Sequence, residues 1–362
     1  MRVLQVINNL GSGGAEKLVN DCSIKMNDIG IDIEIAVLEE KGSIYINDLI
    51  EKNIKIHILS IDKIYSLITF IKLFMLLKKG KYSIVHAHIF PTFYYVGILS
   101  LFFNNVNFIY TEHNTNNRRR LYKFFKIIEK FMYSRYKMII CISEKTKTNL
   151  REYINDHSKK IKTIHNGIDL EKYINSIPVE RRNLNLLLTY EDKIVTMVGR
   201  FSHQKDQITL IKAINILPET YKLLLIGEGE LKNKTIEFVN DIKLSDRVFF
   251  LGLRKDVPNI LKSSDIVVLS SRWEGFGLAA LEGMASKVPT IVSDVEGMKE
   301  IINNQNILFE VGNAESLAKK IKEISENKEF YHKIAKLGFE RSLLFSLDSM
   351  VKGYIKIYNN FN

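Results

Sequence analysis

Two glutamates, Glu274 and Glu282, are separated by seven residues and follow an apolar, strand-like segment. Backbone amides at a helix N-terminus attract anions, and carboxylates accept hydrogen bonds from hydroxyl groups. The pattern therefore favours a site for the phosphate and sugar oxygens of a ligand, although a capped helix with two solvated acids has the same pattern. The residues between them that could offer backbone amides are Gly275, Phe276, Gly277 and Leu278.

Two cations, Arg200 and Lys205, follow a second strand-like segment and flank a predicted turn. A guanidinium and an ammonium group at a strand end can together neutralise a diphosphate. Solvated surface cations are the alternative in a chain whose net charge is +11. The position directly after the first strand of the second strand set favours phosphate binding.

A glycine-rich turn with Gly13 and Gly14 separates the first strand from a helix that is predicted to begin near Ala15. Glycines there let backbone amides approach an anion closely, so both are candidate ligand-binding residues. A tight turn without a ligand explains the same pattern. The turn does not match G-x-G-x-x-G, which disfavours a nicotinamide-dependent dehydrogenase.

Three histidines lie in or just after strand-like segments. His113 follows a strand and could exchange a proton near neutral pH, with a buried structural role as the alternative. His86 and His88 have the spacing of a metal-binding pair, but no third ligand lies near them, and no metal site is predicted. Cys22 and Cys141 are far apart in apolar surroundings, so neither a disulfide nor a zinc site is predicted.

Strand-like runs alternate with helical patterns along the whole chain, which predicts parallel strands joined by crossover helices. The predicted strands of the first set are 3–7, 33–38, 56–59, 84–86, 108–110 and 138–142. Those of the second set are 193–198, 222–226, 248–251, 266–269, 290–292 and 307–309. We therefore expect an α/β protein with two doubly wound, Rossmann-like domains that face each other across a cleft at the carboxyl ends of their strands.

The predicted domains are residues 1–174 and 175–347, divided shortly after a turn-forming Asn166-Gly167 pair. A C-terminal helix over 348–362 has apolar residues at helical spacing and is expected to pack back on the first domain.

A basic stretch near 118–137 interleaves cations with aromatic and aliphatic residues. It predicts a basic amphipathic helix that suits an anionic membrane surface or a lipid pyrophosphate acceptor, and the alternative is a helix with its apolar face in the core. No nucleic-acid module accompanies it, so nucleic acid is not an expected partner. Its cations are Arg118, Arg119, Arg120, Lys123, Lys126, Lys130, Arg135 and Lys137.

The longest apolar stretches, 65–77 and 90–103, are shorter than the roughly 20 residues of a spanning helix. The N-terminus lacks a signal-peptide pattern and leads directly into the first strand. We therefore expect no transmembrane segment. Because no disulfide framework is predicted, a reducing cytoplasm is the expected location, and the basic helix would allow peripheral association with the inner face of the cell membrane.

The segment from Glu274 to Glu282 resembles the E-x7-E motif of retaining glycosyltransferases of family 4, which have the GT-B fold. The resemblance covers essentially the whole chain. Within the family, the chain looks similar to bacterial enzymes that build surface polysaccharides. Further segments of the chain resemble other landmarks of the family and occur in the family's order. They are Gly13-Gly14-Ala15-Glu16, His113, Ile142-Ser143-Glu144, Asn166-Gly167-Ile168-Asp169, Gly199-Arg200 with Lys205, and Gly227-Glu228-Gly229.

The resemblance implies a role for each candidate residue. Glu282 would hold the donor ribose, Glu274 would lie near the hydroxyls of the transferred sugar, and Arg200 and Lys205 would bind the diphosphate. His113 would lie by the sugar at the reaction centre. The domain 1–174, whose Gly13-Gly14 loop would close over the donor, would be the acceptor side, and 175–347 would bind the donor.

The resemblance also implies the reaction. The expected reaction is a retaining hexosyl transfer that needs neither a metal nor a cofactor. The donor would be a nucleotide diphosphate sugar, with UDP as the expected nucleotide. The acceptor would be a saccharide that is expected to be lipid-linked. The alternatives are a sugar-nucleotide epimerase on the same fold and a catalytically silent protein that binds a sugar nucleotide or a lipid.

Overall fold

The structure is a computed structural model that describes residues 1–114, 118–185 and 187–361, without the side chains of Arg118 and Leu121. The chain divides into two compact units. The first contains Met1–Gly167 and Leu347–Asn362, and the second contains Ile168–Ser346. Within the described ranges, every helix is too short or too polar to cross a membrane.

Each unit is built on one sheet of parallel strands. The strands of the first unit are β1 (Arg2–Ile7), β2 (Asp32–Val37), β3 (Lys55–Ile58), β4 (Ile84–His88), β5 (Asn107–Glu112), β6 (Met138–Cys141) and β7 (Ile161–Thr163). The strands of the second unit are β8 (Lys193–Val198), β9 (Tyr221–Ile226), β10 (Val248–Gly252), β11 (Ile266–Leu269), β12 (Thr290–Ser293) and β13 (Leu308–Phe309).

Helices connect the strands and cover the sheets. In the first unit they are α1 (Gly14–Asp28), α2 (Ile46–Glu51), α3 (Leu67–Gly80), α4 (Thr92–Leu99), α5 (Lys123–Ser134), α6 (Glu144–Ile154) and, at the end of the chain, α15 (Leu347–Asn359). In the second unit they are α7 (Leu170–Ile174), α8 (Arg181–Leu184), α9 (Gln207–Ile216), α10 (Lys232–Asp241), α11 (Val257–Lys262), α12 (Leu278–Ala285), α13 (Ala314–Glu326) and α14 (Lys328–Ser342).

The α/β class with two doubly wound sheets is confirmed. The strand order is β3-β2-β1-β4-β5-β6-β7 in the first sheet and β10-β9-β8-β11-β12-β13 in the second. The order reverses between β1 and β4 and again between β8 and β11. At such a reversal, the loops after the two strands leave in opposite directions and open a crevice in which α/β proteins usually bind ligands.

The central strands are buried and rich in β-branched and other apolar residues, which is why the periodicity located them. Ile266–Leu269, for example, is buried at every position and matches its predicted range. Strand β7 was not predicted, because its three residues include one buried apolar residue, Ile161, followed by Lys162 and Thr163. It forms an edge of the sheet, where pairing to β6 compensates for a weak pattern.

The division between the units lies at Gly167, before the boundary predicted at residue 174. The Asp169 side chain accepts a hydrogen bond from the Lys172 amide at 3.4 Å and caps α7. Helix α7 packs against α11 and α12 of the second unit. The boundary therefore lies closer to the N-terminus than predicted, at the end of the Asn166-Gly167 turn.

The C-terminal helix α15 begins at Leu347 and belongs to the first unit, where it packs on α1. It was predicted over 348–362, but it ends at Asn359, and Asn362 lies outside the described residues. Lys25 of α1 and Asp348 of α15 form an ion pair at 2.9 Å. The buried face of α15 includes Met350, Tyr354, Ile357 and Tyr358.

Candidate active site

The crevice of the second sheet contains the loop before α12, and Gly277 determines the geometry of that loop. Gly277 is the N-cap residue of α12 with a φ of 85°, in the left-handed region that favours glycine. A Cβ atom at this position would lie 2.4 Å from the Met298 sulphur. The α12 N-terminus therefore follows a turn that other residues could not easily form.

Glu274 and Lys205 lie together in this crevice, on the loops after β11 and β8. The Lys205 Nζ donates to Glu274 Oε1 at 2.5 Å, and the Ser271 hydroxyl donates to the same oxygen at 2.6 Å. The Glu274 side chain is 6% exposed and that of Lys205 is 19% exposed. A buried carboxylate needs such partners, and they hold Glu274 in one position.

Further contacts join the same two loops. Gln204 Nε2 donates to the Trp273 carbonyl at 3.0 Å, and the Arg272 amide donates to the Gln204 carbonyl at 2.8 Å. The Arg272 guanidinium also forms an ion pair with buried Asp206 at 3.1 Å. Ser271, Gln204 and Asp206 were not predicted as site residues, because a polar residue in a loop carries no local sign of its partner.

Arg200 follows β8 as predicted, but the structure does not join it to the Lys205–Glu274 pair. Its guanidinium forms an ion pair with Glu230 at 3.1 Å, and both side chains are more than half exposed. Exposed ion pairs of this kind contribute little to stability and exchange readily. Arg200 is therefore a solvent-accessible cation near the end of β8.

Glu282 lies in the second turn of α12 and is only 4% exposed. Phe276, in the loop before the helix, is also buried and packs edge-on against Phe345 with ring centroids 5.6 Å apart. Gly275 and Leu278 are half-buried. The segment from Glu274 to Glu282 thus combines a fixed loop with a buried acid on the helix that follows.

In the first unit, Gly13 and Gly14 lie at the start of α1, one position earlier than predicted. Gly13 is the N-cap residue and offers no side-chain cap. A Cβ atom on Gly13 would lie 2.2 Å from Glu16 Oε2, the end of a flexible side chain. The turn follows β1, at the point where the first sheet reverses its strand order.

His113 follows β5 and belongs to a chain of buried polar side chains. His113 Nε2 lies 3.0 Å from His88 Nδ1, and His88 Nε2 lies 2.6 Å from Gln5 Oε1. His86 Nδ1 lies 2.6 Å from the Tyr358 hydroxyl. Both ring nitrogens of His88 therefore have protein partners, which agrees with a structural rather than a metal-binding role.

Burial changes the protonation of these rings. Desolvation lowers the pKa of His86 and of His113 to about 3, although part of the His113 residue reaches solvent. Desolvation also lowers the pKa of His88 well below its usual value, with smaller contributions from the two neighbouring histidines. All three rings are therefore neutral near pH 7.

We expect the free energy of unfolding to fall as the pH drops below about 6.5, the usual histidine pKa. In that range the unfolded chain binds protons on these histidines and the folded chain does not, so acid favours unfolding. Each ring contributes at most about 1.4 kcal/mol per pH unit. Urea unfolding between about pH 7 and 5 measures the slope. An equal slope in wild-type protein and in the His86→Gln variant would contradict this expectation.

The basic stretch near 118–137 was predicted to form one helix, but in the structure it forms a short turn followed by a helix. Residues Arg118–Leu121 form a 3-10 turn, and the helix is α5. Arg119 forms an ion pair with buried Glu129 at 2.7 Å. Arg120 pairs with buried Glu112 at 3.2 Å, so both cations are held inside the unit. The side chain of Arg118 lies outside the described residues.

In the part of the chain that the structure describes, no group of three or more histidine, cysteine or acidic side chains is placed to hold a metal ion. Cys22 and Cys141 are buried free thiols, and burial raises the pKa of both. Independence of the reaction from metal stays a prediction.

Comparison with known proteins matches both units to described families. Residues 12–172 match the family described as Glycosyltransferase Family 4, and residues 184–341 match the family described as Glycosyl transferases group 1. Among solved structures, Anabaena Alr3699/HepE in complex with UDP and glucose covers 99% of both chains with a TM-score of 0.86 at 19% identity. A glycosyltransferase from Rickettsia africae has a TM-score of 0.82 at 22% identity, over 99% of this chain and 98% of that one.

Two curated relatives extend over most of the chain. The UDP-Gal:alpha-D-GlcNAc-diphosphoundecaprenol alpha-1,3-galactosyltransferase of Escherichia coli is 30% identical over 285 residues, 74% of this chain and 73% of that protein. The N-acetylgalactosamine-N,N'-diacetylbacillosaminyl-diphospho-undecaprenol 4-alpha-N-acetylgalactosaminyltransferase of Campylobacter jejuni is 25% identical over 338 residues, 89% of each chain. The chain therefore belongs to the family 4 glycosyltransferases, and its fold is GT-B.

Proposed function

We propose that this glycosyltransferase is a retaining, metal-independent hexosyltransferase that moves a sugar from a UDP-sugar to a lipid-linked saccharide during polysaccharide or glycoconjugate assembly. The observation that carries the proposal is the Lys205–Glu274 contact of 2.5 Å at the strand-order reversal of the second sheet. This contact supports the proposal, because a cation suits a diphosphate and a carboxylate suits sugar hydroxyls.

Lys205 has the chemistry that a diphosphate leaving group needs. An ammonium group has three N–H donors, and one carboxylate oxygen of Glu274 does not use them all. Exposed Arg200 can exchange Glu230 for a phosphate oxygen, because exposed ion pairs are weak. Negative charge that develops on the departing phosphate is then stabilised by cations that are already in place.

The transfer itself needs no separate base. The bond between the anomeric carbon and the β-phosphate oxygen breaks, and the acceptor oxygen forms its bond to the same face of that carbon. The acceptor hydroxyl passes its proton to the departing phosphate oxygen. We assign Glu282 to the donor ribose, Glu274 to the hydroxyls of the transferred sugar and His113 of the first unit to contact with that sugar.

The relatives support the choice of substrates. The Escherichia coli relative is named for a UDP-galactose donor and an undecaprenol-linked acceptor, and the Campylobacter relative is named for an undecaprenol-linked acceptor. The two positive side chains, Arg200 and Lys205, would supply the charge that a metal ion provides at other diphosphate sites. For this reason we propose that the reaction proceeds without a metal.

Calorimetric titration with UDP, GDP, ADP and UDP-sugars, with and without magnesium, tests the donor assignment. We expect UDP compounds to bind best, magnesium to have no effect, and Glu282→Gln to weaken binding by about tenfold, equivalent to about 1.4 kcal/mol. The matched control is Glu237→Gln, which changes an exposed glutamate on α10. Equal binding by wild type and the Glu282 variant would exclude the ribose role.

Product analysis with a lipid-linked acceptor tests the reaction. An α-configured donor should give an α-configured glycoside. Release of an altered UDP-sugar without an acceptor would instead identify an epimerase, and donor binding without any product would identify a silent binding protein.

We also propose that the first unit docks on an anionic membrane surface through the outer face of α5. Three large apolar side chains of this face are at least half exposed: Phe124 at 69%, Ile127 at 75% and Phe131 at 50%. Lysines are exposed beside them at Lys123, Lys126 and Lys130. A helix with exposed apolar and basic side chains together is typical of binding at a membrane interface.

We include helix α3 in the proposed docking surface. Right-handed crossovers place α3, α4 and α5 on one side of the first sheet. Helix α3 has four exposed large apolar side chains, and its charged residues are all lysines. An anionic surface would match the charge of both helices, and a lipid-linked acceptor would be available there. The exposed apolar residues of α3 are Leu67, Ile68, Ile71 and Met75.

Co-sedimentation with vesicles tests the docking surface. We expect binding to vesicles that contain phosphatidylglycerol, weaker binding to pure phosphatidylcholine, and a decrease with added salt, because each lysine near the surface contributes about 1 kcal/mol. The double variant Phe124→Ser/Ile127→Ser should lose most of the binding. The control Leu343→Ser/Leu344→Ser removes two exposed leucines of the second unit and should bind like wild type. Equal binding by both variants would refute the assignment.

A further inference from the structure

The face of the first sheet that α1 and α15 cover contains an unusual row of buried polar side chains. Gln5 pairs in register with His86, and His88 pairs with Thr111, so these residues occupy one face across β1, β4 and β5. All four side chains are buried, at 2% exposure or less. Polar groups in such a position are costly unless they are hydrogen-bonded, so their pairing has to be specific.

Gln5 lies at the centre of this row and bonds in two directions. Its Nε2 donates to the Tyr358 hydroxyl of α15 at 3.2 Å, and its Oε1 lies 2.6 Å from His88 Nε2. An amide oxygen only accepts hydrogen bonds, so His88 Nε2 is the donor in this contact.

The protonation of His88 then determines that of His113. The His88 ring is neutral, because burial lowers its pKa well below the usual value, and it therefore has one N–H group. With that proton on Nε2, His88 Nδ1 is an acceptor, and His113 Nε2 at 3.0 Å has to donate to it. Neutral His113 is left with an unprotonated Nδ1.

We infer that Gln5 and His88 are positioning residues that hold His113 as the Nε2–H tautomer, which presents Nδ1 to the saccharide substrate as an acceptor for a hydroxyl group. The saccharide part of this inference rests on the function proposed above, whereas the tautomer rests on the hydrogen bonds of Gln5, His88 and His113 together with the neutral state of the two rings. The same state makes His113 unable to donate a proton from Nδ1, so it binds a hydroxyl and does not act as an acid there.

The position of Tyr358 adds a structural reason for the return of the C-terminal helix. The Tyr358 hydroxyl contacts both Gln5 Nε2 and His86 Nδ1, at 3.2 and 2.6 Å. In this arrangement the Tyr358 hydroxyl accepts from the amide nitrogen, and the amide oxygen of Gln5 faces His88. A residue near the end of the chain thereby influences a predicted catalytic residue through two intervening side chains.

Nitrogen-15 spectra of the full-length protein, labelled in its histidine rings, test the tautomer directly, because protonated and unprotonated ring nitrogens have well-separated shifts. His113 is assigned by its loss in a His113→Asn variant. We expect its Nε2 to carry the proton in the wild type. A proton on Nδ1 would overturn the inference without any activity measurement, so this result is independent of the proposed function.

Two variants test whether Gln5 is responsible. Gln5→Met removes the amide with little change in length, and it should give a mixture of His113 tautomers and a kcat about tenfold lower, with the KM for the nucleotide sugar nearly unchanged. The matched control Thr111→Val removes another buried polar group of the same row, a partner of His86 at 2.7 Å. It should keep the His113 tautomer and kcat. A unique Nε2–H tautomer in folded Gln5→Met protein would refute the positioning role.

Discussion

Replacing Lys205 with methionine is expected to lower kcat/KM for the nucleotide sugar by about 100-fold, the usual effect of removing one preorganised charge-stabilising donor. The same change is expected to lower the free energy of unfolding by about 3 kcal/mol. The reason is that the Glu274 carboxylate, only 6% exposed, loses its cation at 2.5 Å and is left as a buried charge without that partner. Steady-state kinetics and urea unfolding measure the two effects.

A double-mutant cycle separates the two roles of the ion pair. The variant Lys205→Met/Glu274→Gln has no unpaired charge, so it should recover most of the stability but none of the activity. The control Lys232→Met breaks a pair with Glu228 that is also 2.5 Å long, but whose acid is 45% exposed. It should cost less than about 1 kcal/mol. Wild-type turnover in Lys205→Met would exclude the diphosphate role of Lys205.

The sequence predicted the sheets well because both are parallel and buried on two faces. Strands of this kind are nearly continuous apolar runs, and every predicted strand overlaps one in the structure. The positions of Glu274, Lys205 and His113 after strands were predictable for the same reason. Each of them lies after the carboxyl end of a strand in the sheet of its own unit, and this location follows from parallel strands alone.

The contacts that fix those side chains were not predictable from local patterns. Glu274 and Lys205 are 69 positions apart, and Gln5 and Tyr358 are 353 apart. A hydrogen bond over such a distance leaves no periodic signal. His86 and His88 were recognised as a pair, but only the register of β1, β4 and β5 shows that one face brings Gln5 to them.

The basic stretch shows the opposite limitation. Its composition predicted one amphipathic surface, whereas Arg119 and Arg120 turn inward to the buried acids Glu129 and Glu112. Counting cations overestimates the charge of the outer face, because Arg119 and Arg120 form ion pairs inside the unit and do not lie on that face. Composition alone would assign Phe124 and Ile127 to a core, because they are apolar. In the structure both side chains are exposed.

Gly297→Ala is expected to lower both stability and donor binding, because it changes the shape of the loop that contains Glu274. A Cβ atom on Gly297 would lie 1.9 Å from the Glu274 carbonyl oxygen and 2.5 Å from its carbonyl carbon. Both are backbone atoms, so no side chain can rotate away, and the loop has to move. We expect a loss of about 3 kcal/mol in stability, at the upper end for overpacking, and at least tenfold weaker donor binding.

The control for this change is Gly30→Ala, in the turn after α1. Gly30 has a φ of 84°, but a Cβ atom there would have no neighbour within 4 Å. Its cost should be limited to the left-handed backbone, about 1 kcal/mol, with donor binding unchanged. If Gly297→Ala bound the donor like this control, the carbonyl of Glu274 could shift freely. The position of the Glu274 carboxylate would then depend on Lys205 and Ser271 rather than on the packing of its backbone.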